Sequence, residues 1–187
     1  MRIVGGALGG RVLHAPEDSR VRPTSDKVRQ AIFNVLAHGA AALDLDGIRV
    51  IDLFAGTGAL GIEAISRGAA FALFVDDSAE SRALIRRNVE AFALTGASKI
   101  WRRDATDLGP MAAGAGGPFG LAFLDPPYRK GLAGSALGAL RGGGWLAPDA
   151  IAVAEIAADE DVPSTDGFAL LDSRTYGETQ VCFLRAS

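Results

Sequence analysis

The run IRVIDLFAGTGALGIEAISRGAAFALFVD, residues 48–76, decides the fold. IRVIDLF (48–54) is apolar at nearly every position, as a strand covered on both faces must be. GALGIEAISR (58–67) changes to helical spacing, and FALFVD (71–76) returns to a buried-strand run. ESRALIRRNVEAF (80–92) then supplies a second helix. Two successive strand-helix units imply a parallel sheet with helices on its faces.

Further strands are expected at 99–103, 120–125, 151–156, 168–175 and 180–184, with a flexible Ala/Gly-rich stretch at 112–117. The last two are separated by four residues around Tyr176-Gly177, too few for a parallel crossover, so they pair antiparallel. Upstream, residues 2–4 and 11–14 read as short strands joined by GGALGG. A loop ends in RPTSD, where Ser25 or Asp26 caps a helix carrying Val28, Ile32, Val35 and Leu36 on one face, and Gly39 ends it. The expectation is one doubly wound α/β domain over 1–187, with residues 1–25 as a hairpin-and-loop extension and 26–187 as the core.

Composition excludes several classes. Of 187 residues, 49% are hydrophobic and 22% charged, which suits a packed core and not a disordered chain. The lone Cys182 supplies neither a disulfide framework nor a thiolate cluster, so no metal site is expected. No run approaches the ~20 apolar residues of a membrane span, and the start lacks a signal-peptide core, so a cytoplasmic protein is expected. The net charge of −3 argues mildly against nucleic acid, but its distribution points the other way. Residues 1–30 carry a net +3 and the remainder −6, a basic front on an acidic body suited to local RNA contact.

DLFAGTGALG (52–61) places Gly56, Gly58 and Gly61 in a G-x-G-x-x-G pattern at a strand-to-helix junction. Glycines there let the backbone approach a ligand, and the helix start offers free N–H groups. The pattern fits a nicotinamide dinucleotide as well as S-adenosylmethionine. Asp76, 18 residues after Gly58 at the end of the second strand, is placed to accept from both ribose hydroxyls of an adenosine. Asp104-Ala105 after the third strand is a candidate for the adenine edge, and Asp52 with Phe54 completes the candidate cofactor set.

FLDPPYRKG (123–131) decides between the cofactors. The rings of Pro126 and Pro127 stiffen the turn after the fourth strand, holding the Asp125 carboxylate and Pro126 carbonyl near one point. An exocyclic amine needs two such acceptors. Holding both of its hydrogens draws the nitrogen lone pair out of the ring and frees it for attack on a sulfonium methyl group. Tyr128 offers an aromatic face on which an extruded base can stack. A dehydrogenase has no use for this arrangement.

With DLFAGTGALGIEA and DPPY, RIVGGALGGRVL (2–13) and RPTSDKVRQAIFNVL (22–36), the chain resembles the bacterial 16S rRNA (guanine-N2)-methyltransferases of the guanine-966 type. The resemblance implies a seven-stranded Rossmann-like class I sheet with its last strand antiparallel, S-adenosylmethionine as donor, and an N-terminal hairpin that helps engage RNA of the small ribosomal subunit. It maps the catalytic motif onto Asp125, Pro126, Pro127 and Tyr128. Many members carry glutamate at the second-strand acidic position and aspartate two residues later, where this chain has Asp76 and Ser78. Given the acidic body, RNA contact is expected on Arg11, Arg20, Arg22, Lys27, Arg29, Arg129 and Lys130, with no obligate protein partner. Adenine-N6 or protein-glutamine methylation is the alternative of like chemistry, and a non-catalytic S-adenosylmethionine-binding ribosome assembly factor the alternative of another class.

Overall fold

The computed structural model describes residues 1–17 and 24–187. Among the described residues, four α-helices, α1 (Asp26–His38), α2 (Ala59–Ser66), α3 (Ala79–Ala91) and α4 (Leu132–Gly142), pack around one sheet. Its strands are β1 (Arg49–Leu53), β2 (Phe71–Val75), β3 (Ser98–Trp101), β4 (Phe119–Leu124), β5 (Leu146–Ala157), β6 (Phe168–Tyr176) and β7 (Thr179–Ala186). They lie in the order β3-β2-β1-β4-β5-β7-β6. The first five of that order are mutually parallel, and β7 runs antiparallel to both its neighbours. The chain winds outward from β1 in one direction and from β4 in the other, so a crevice opens between their carboxyl ends.

Strand alternation divides the sheet's side chains between two cores. Val50, Phe74, Leu121, Phe123, Val153 and Phe183 face α1, α2 and α3. Ile51, Leu73, Ala122, Leu124, Ala154 and Leu184 face α4 and the fully buried Trp145. Among the described residues, no helix is long and apolar enough to cross a membrane.

Two segments differ from the sequence reading. LAGSALGALRG forms α4, although Gly134, Gly138 and Gly142 each lower helix propensity by about 0.5–1 kcal/mol relative to alanine. The helix exists because Ala133, Ala136, Leu137 and Leu140 are buried against the sheet, a tertiary gain that propensity cannot register. Residues 112–117, expected to be flexible, contain a 3-10 turn at Ala113–Ala115 with Ala115 fully buried. Two distant cations hold the segment: Arg49 Nη1 donates to Gly116 O at 2.6 Å, and Lys99 Nζ donates to Gly114 O.

The N-terminal hairpin is present as one bridge pair, Arg2 with Val12, supported by Ile3 N–H donating to Arg11 O at 2.9 Å and Gly10 N–H to Ile3 O at 2.7 Å. Such a short ribbon is marginal alone. It is fastened to α2 by the buried carboxylate of Glu63, which accepts from Val4 N–H at 3.0 Å and Gly5 N–H at 2.8 Å. The same carboxylate has Arg67 Nε at 2.9 Å and Arg29 Nε at 3.4 Å. Arg29 is therefore not an RNA contact, contrary to the expectation from its charge. It is 0% exposed, and its guanidinium also donates to Thr24 O, Arg2 O and Asp26. Its two terminal nitrogens are turned to acceptors within the protein, as burial of a guanidinium requires.

Candidate active site

The loop between β1 and α2 is built for close approach. Gly58 caps α2 from the left-handed region at φ 80°, and Gly56 at φ 58° donates its N–H to Asp76 Oδ2 at 2.9 Å. A Cβ on Gly56 would meet only Phe54 O, at 3.9 Å, and would otherwise stand in the open space in front of the loop. Gly61 serves a different purpose: a Cβ there would lie 2.5 Å from the Phe74 ring, so helix and strand can touch only through a glycine. Phe54, at φ 56° and half-buried, lines the entrance to the turn.

Asp76 is half-buried, with Oδ1 accepting from Ser78 N–H at 2.9 Å. Each of its oxygens keeps a second lone pair open to a further donor. Asp52 takes a different position from a ligand-facing one. At 1% exposure it lies beneath the loop and accepts from Gly61 N–H at 3.0 Å, so it orients the glycine turn from behind. Burial pushes its carboxyl well above the ordinary range, and the charges of Asp125 and Asp76 add to the effect. Asp104 is exposed and closes a local turn by accepting from the Thr106 hydroxyl at 2.7 Å and its N–H at 2.8 Å, which hold the carboxylate below its usual range. Ala105 is buried beside it.

Period-two alternation explains why acidic side chains gather here. Val50, Phe74, Phe123 and Val153 all face the α1–α3 core, so Asp52, Asp76, Asp125 and Glu155, each two residues further on, point to the same side at the carboxyl edge. Asp125 follows β4 directly, its N–H 3.4 Å from Leu53 O. Burial lifts its carboxyl to about 6, against the opposing effect of the Thr24 hydroxyl, which lies 3.1 Å from Oδ2. Glu155 is raised well above the usual carboxylate range, first by burial and then by the Asp125 charge. Tyr128 is half-buried, and its hydroxyl lies 2.8 Å from Thr179 Oγ1 at the start of β7, which ties the ring's outer end to the sheet. Pro126 is buried and Pro127 exposed at the corner between them.

The basic residues divide into three groups. Lys27 and Lys130 are exposed. Arg129 is exposed and pairs with Asp159 at 3.1 Å, an arrangement easily exchanged for a phosphate because such surface pairs contribute about 1 kcal/mol or less. Arg11 lies over the Phe92 ring at 4.5 Å and donates to Ala91 O at 2.7 Å, fastening the hairpin to the end of α3. Arg20 and Arg22 lie outside the described residues.

Sequence reading missed Thr24 and Glu155. A signal existed for the second: Glu155 is the lone charge in the apolar run AIAVAEIA (150–157), and a charge within a doubly covered strand is rarely idle. A cleft of about 520 Å³ lined by Phe33, Leu43, Asp44 and Arg67 lies near the amino end of β1, at the opposite end of the strands from these groups.

Known proteins share this architecture along the whole chain. The family model described as Conserved hypothetical protein 95 matches residues 1–185. The YlbH protein of Bacillus subtilis (strain 168) is 35% identical over 186 residues, 99% of this chain and 98% of its own length. Ribosomal RNA small subunit methyltransferase D of Escherichia coli (strain K12) is 36% identical over 165 residues, covering 88% of this chain and 78% of that protein. The solved structure of yhhF from Escherichia coli superposes with a TM-score of 0.83 at 28% identity, covering 100% of this chain and 98% of that one. The sheet order with its reversed last strand is that of the Rossmann-like methyltransferases. With its sequence matched from end to end and its glycine loop and Asp-Pro-Pro-Tyr corner brought to one edge of that sheet, the chain belongs to the Conserved hypothetical protein 95 family.

Proposed function

We propose that this chain transfers a methyl group from S-adenosylmethionine to the exocyclic N2 of a guanine in 16S ribosomal RNA, of the guanine-966 type, in the small ribosomal subunit. The observation that carries the reading is the rigid corner Asp125-Pro126-Pro127-Tyr128 beside the Gly56–Gly58 loop, at the switch point between β1 and β4. The name of the Escherichia coli relative, Ribosomal RNA small subunit methyltransferase D, supports ribosomal RNA as the substrate. The methyltransferase names of the relatives support the donor, and a ribosomal RNA substrate supports a cytoplasmic place of work.

The residues present suit that donor. When bound, S-adenosylmethionine supplies a methyl group activated by its positive sulfonium. The carboxylates of Asp76 and Asp125 share one face at the carboxyl edge, and their field favours a cation. The open side of Gly56 admits a ligand against the loop backbone, and Asp76 takes the ribose hydroxyls.

At the corner, the Asp125 carboxylate and the Pro126 carbonyl accept the two amine hydrogens, and Tyr128 stacks on the base. Holding the amine in this way draws its nitrogen towards tetrahedral geometry and points its lone pair at the methyl group, so positioning and preorganised polarity do most of the catalysis. The Asp125 carboxylate must be ionised to accept.

The test is to incubate the purified protein and labelled S-adenosylmethionine with naked 16S RNA, with small-subunit particles lacking the modification, and with DNA, then to identify the labelled nucleoside. Recovery of N2-methylguanine from RNA is expected. Label in adenine, DNA or protein would overturn the substrate, and no transfer at all would favour a binding-only assembly factor.

A further inference from the structure

Thr24 Oγ1 lies 3.1 Å from Asp125 Oδ2 and 2.9 Å from Glu155 Oε1. A hydroxyl carries one hydrogen and can donate along only one of these lines. Were both carboxyls ionised, the other line would set lone pair against lone pair away from bulk water, with no hydrogen bond to offset the cost of burial. One carboxyl therefore carries a proton and donates it to Thr24. Depth decides which one, because Glu155 is 3% exposed within β5 whereas Asp125 is half-buried at the open edge.

The groups facing Glu155 agree with this assignment. Asp125 beyond β4 and Asp52 on β1 oppose its charge, and its β7 neighbour in register, Val181, is apolar. Arg29 on α1 favours the charged form, but Glu63 and Asp26 already engage that guanidinium.

We propose that Glu155 is a positioning residue for methyl transfer: held as a carboxylic acid, it donates to Thr24 Oγ1 and so turns the Thr24 hydroxyl hydrogen onto Asp125 Oδ2. This rests on the methyltransferase reading of Asp125. One Asp125 oxygen is then committed to Thr24, and the side chain cannot rotate away from the amine that the other oxygen accepts. Thr24 lies immediately before the α1 cap, so the start of α1 and the carboxyl end of β5 together hold the corner after β4.

The test uses the full chain and whichever nucleic acid the wild type methylates, with steady-state kinetics, S-adenosylmethionine binding and thermal melting read for each variant. E155L and T24V remove the chain of donors, whereas E155Q and T24S keep an N–H or O–H in place. The first two are expected to lower kcat about tenfold or more and the second two less than about threefold, in line with loss or retention of a hydrogen bond to a charged group. KM and cofactor affinity should stay within about twofold, and the double variant E155L/T24V should be no worse than either single one, since both act through the same contact. Towards alkaline pH, kcat of the wild type should fall as Glu155 ionises, and E155Q should lack that fall.

If E155Q is as impaired as E155L, an ionised glutamate is required and the inference is wrong. Full activity of E155L, or losses in every variant that follow the melting temperature, would also overturn it. Failure of the wild type to methylate any nucleic acid would be seen before a variant is made, and would remove the reading of Asp125 together with this one.

Discussion

Glu63 on α2 and Glu155 on β5 are both buried carboxylates, 0% and 3% exposed, yet their surroundings are opposite. Glu63 receives two backbone N–H groups and lies beside two guanidiniums. Glu155 has one hydroxyl, Thr24 Oγ1, within hydrogen-bond reach, and a second carboxylate competes for it. An ion removed from water costs several kcal/mol unless partners replace the lost solvation, and one of these sites replaces it while the other does not. The compensated carboxylate fastens the hairpin to the helix. The uncompensated one stays neutral beside the catalytic corner, where a shifted proton affinity has a use.

Four substitutions break or sharpen that contrast. Glu63→Ala has the largest expected effect: it leaves the Arg29 guanidinium buried beside Asp26 alone, and chemical denaturation should show a loss of about 3–5 kcal/mol. Asp125→Ala strikes the other site and should lower kcat by roughly 10²–10³, the cost of one preorganised polar contact, with cofactor affinity little changed. If turnover survives, the role given to Asp125 is wrong. Asp76→Ala should weaken S-adenosylmethionine binding by about 1.5–3 kcal/mol, read by calorimetry, as expected for hydrogen bonds to a charged group. Gly138→Ala belongs to neither site. A Cβ there would meet nothing within 4 Å, so the melting temperature should rise by the equivalent of about 0.5–1 kcal/mol with activity unchanged.

At the Asp125 corner pH moves activity and stability in opposite directions. The Asp125 carboxyl, lifted to about 6 from 3.8, must be ionised to accept an amine, so kcat should fall as pH drops through about 6. The pair with Glu155 titrates as a unit, and the measured midpoint belongs to both groups. Stability runs the other way. A carboxyl whose folded pKa is raised contributes stability below its unfolded pKa and loses that contribution as pH rises through the folded one. Asp125→Asn should therefore gain melting temperature over the wild type at pH 8 and gain little at pH 4.

Much of the layout is legible in the amino-acid order itself. The run 48–76 announces strand, helix and strand because an apolar pattern changes period where the chain changes geometry. A link of so few residues between the last two strands permits only an antiparallel pair, as β6 and β7 are. Asp76 and Asp125 can be placed at the carboxyl edge because each ends a strand. Residues 132–142 are not legible as α4, since their glycines hide a helix that exists through what it buries.

The charges are harder to read. Arg29 resembles its exposed neighbour Lys27 in the sequence, but each step along α1 turns a side chain by about 100°, and two steps carry it from solvent to the core. Thr24, Asp125 and Glu155 meet across separations of 101 and 131 residues.

The sequence alone determined the alternation of strands and helices through β1, α2, β2 and α3, the side to which their strand residues point, and the corner after β4. These follow from local period and from the rigidity of proline, which act within a few residues. Tertiary structure alone decided which charges are compensated and which are left to share a proton. Desolvation and pairing depend on neighbours brought together only when the sheet closes against α1 and α2.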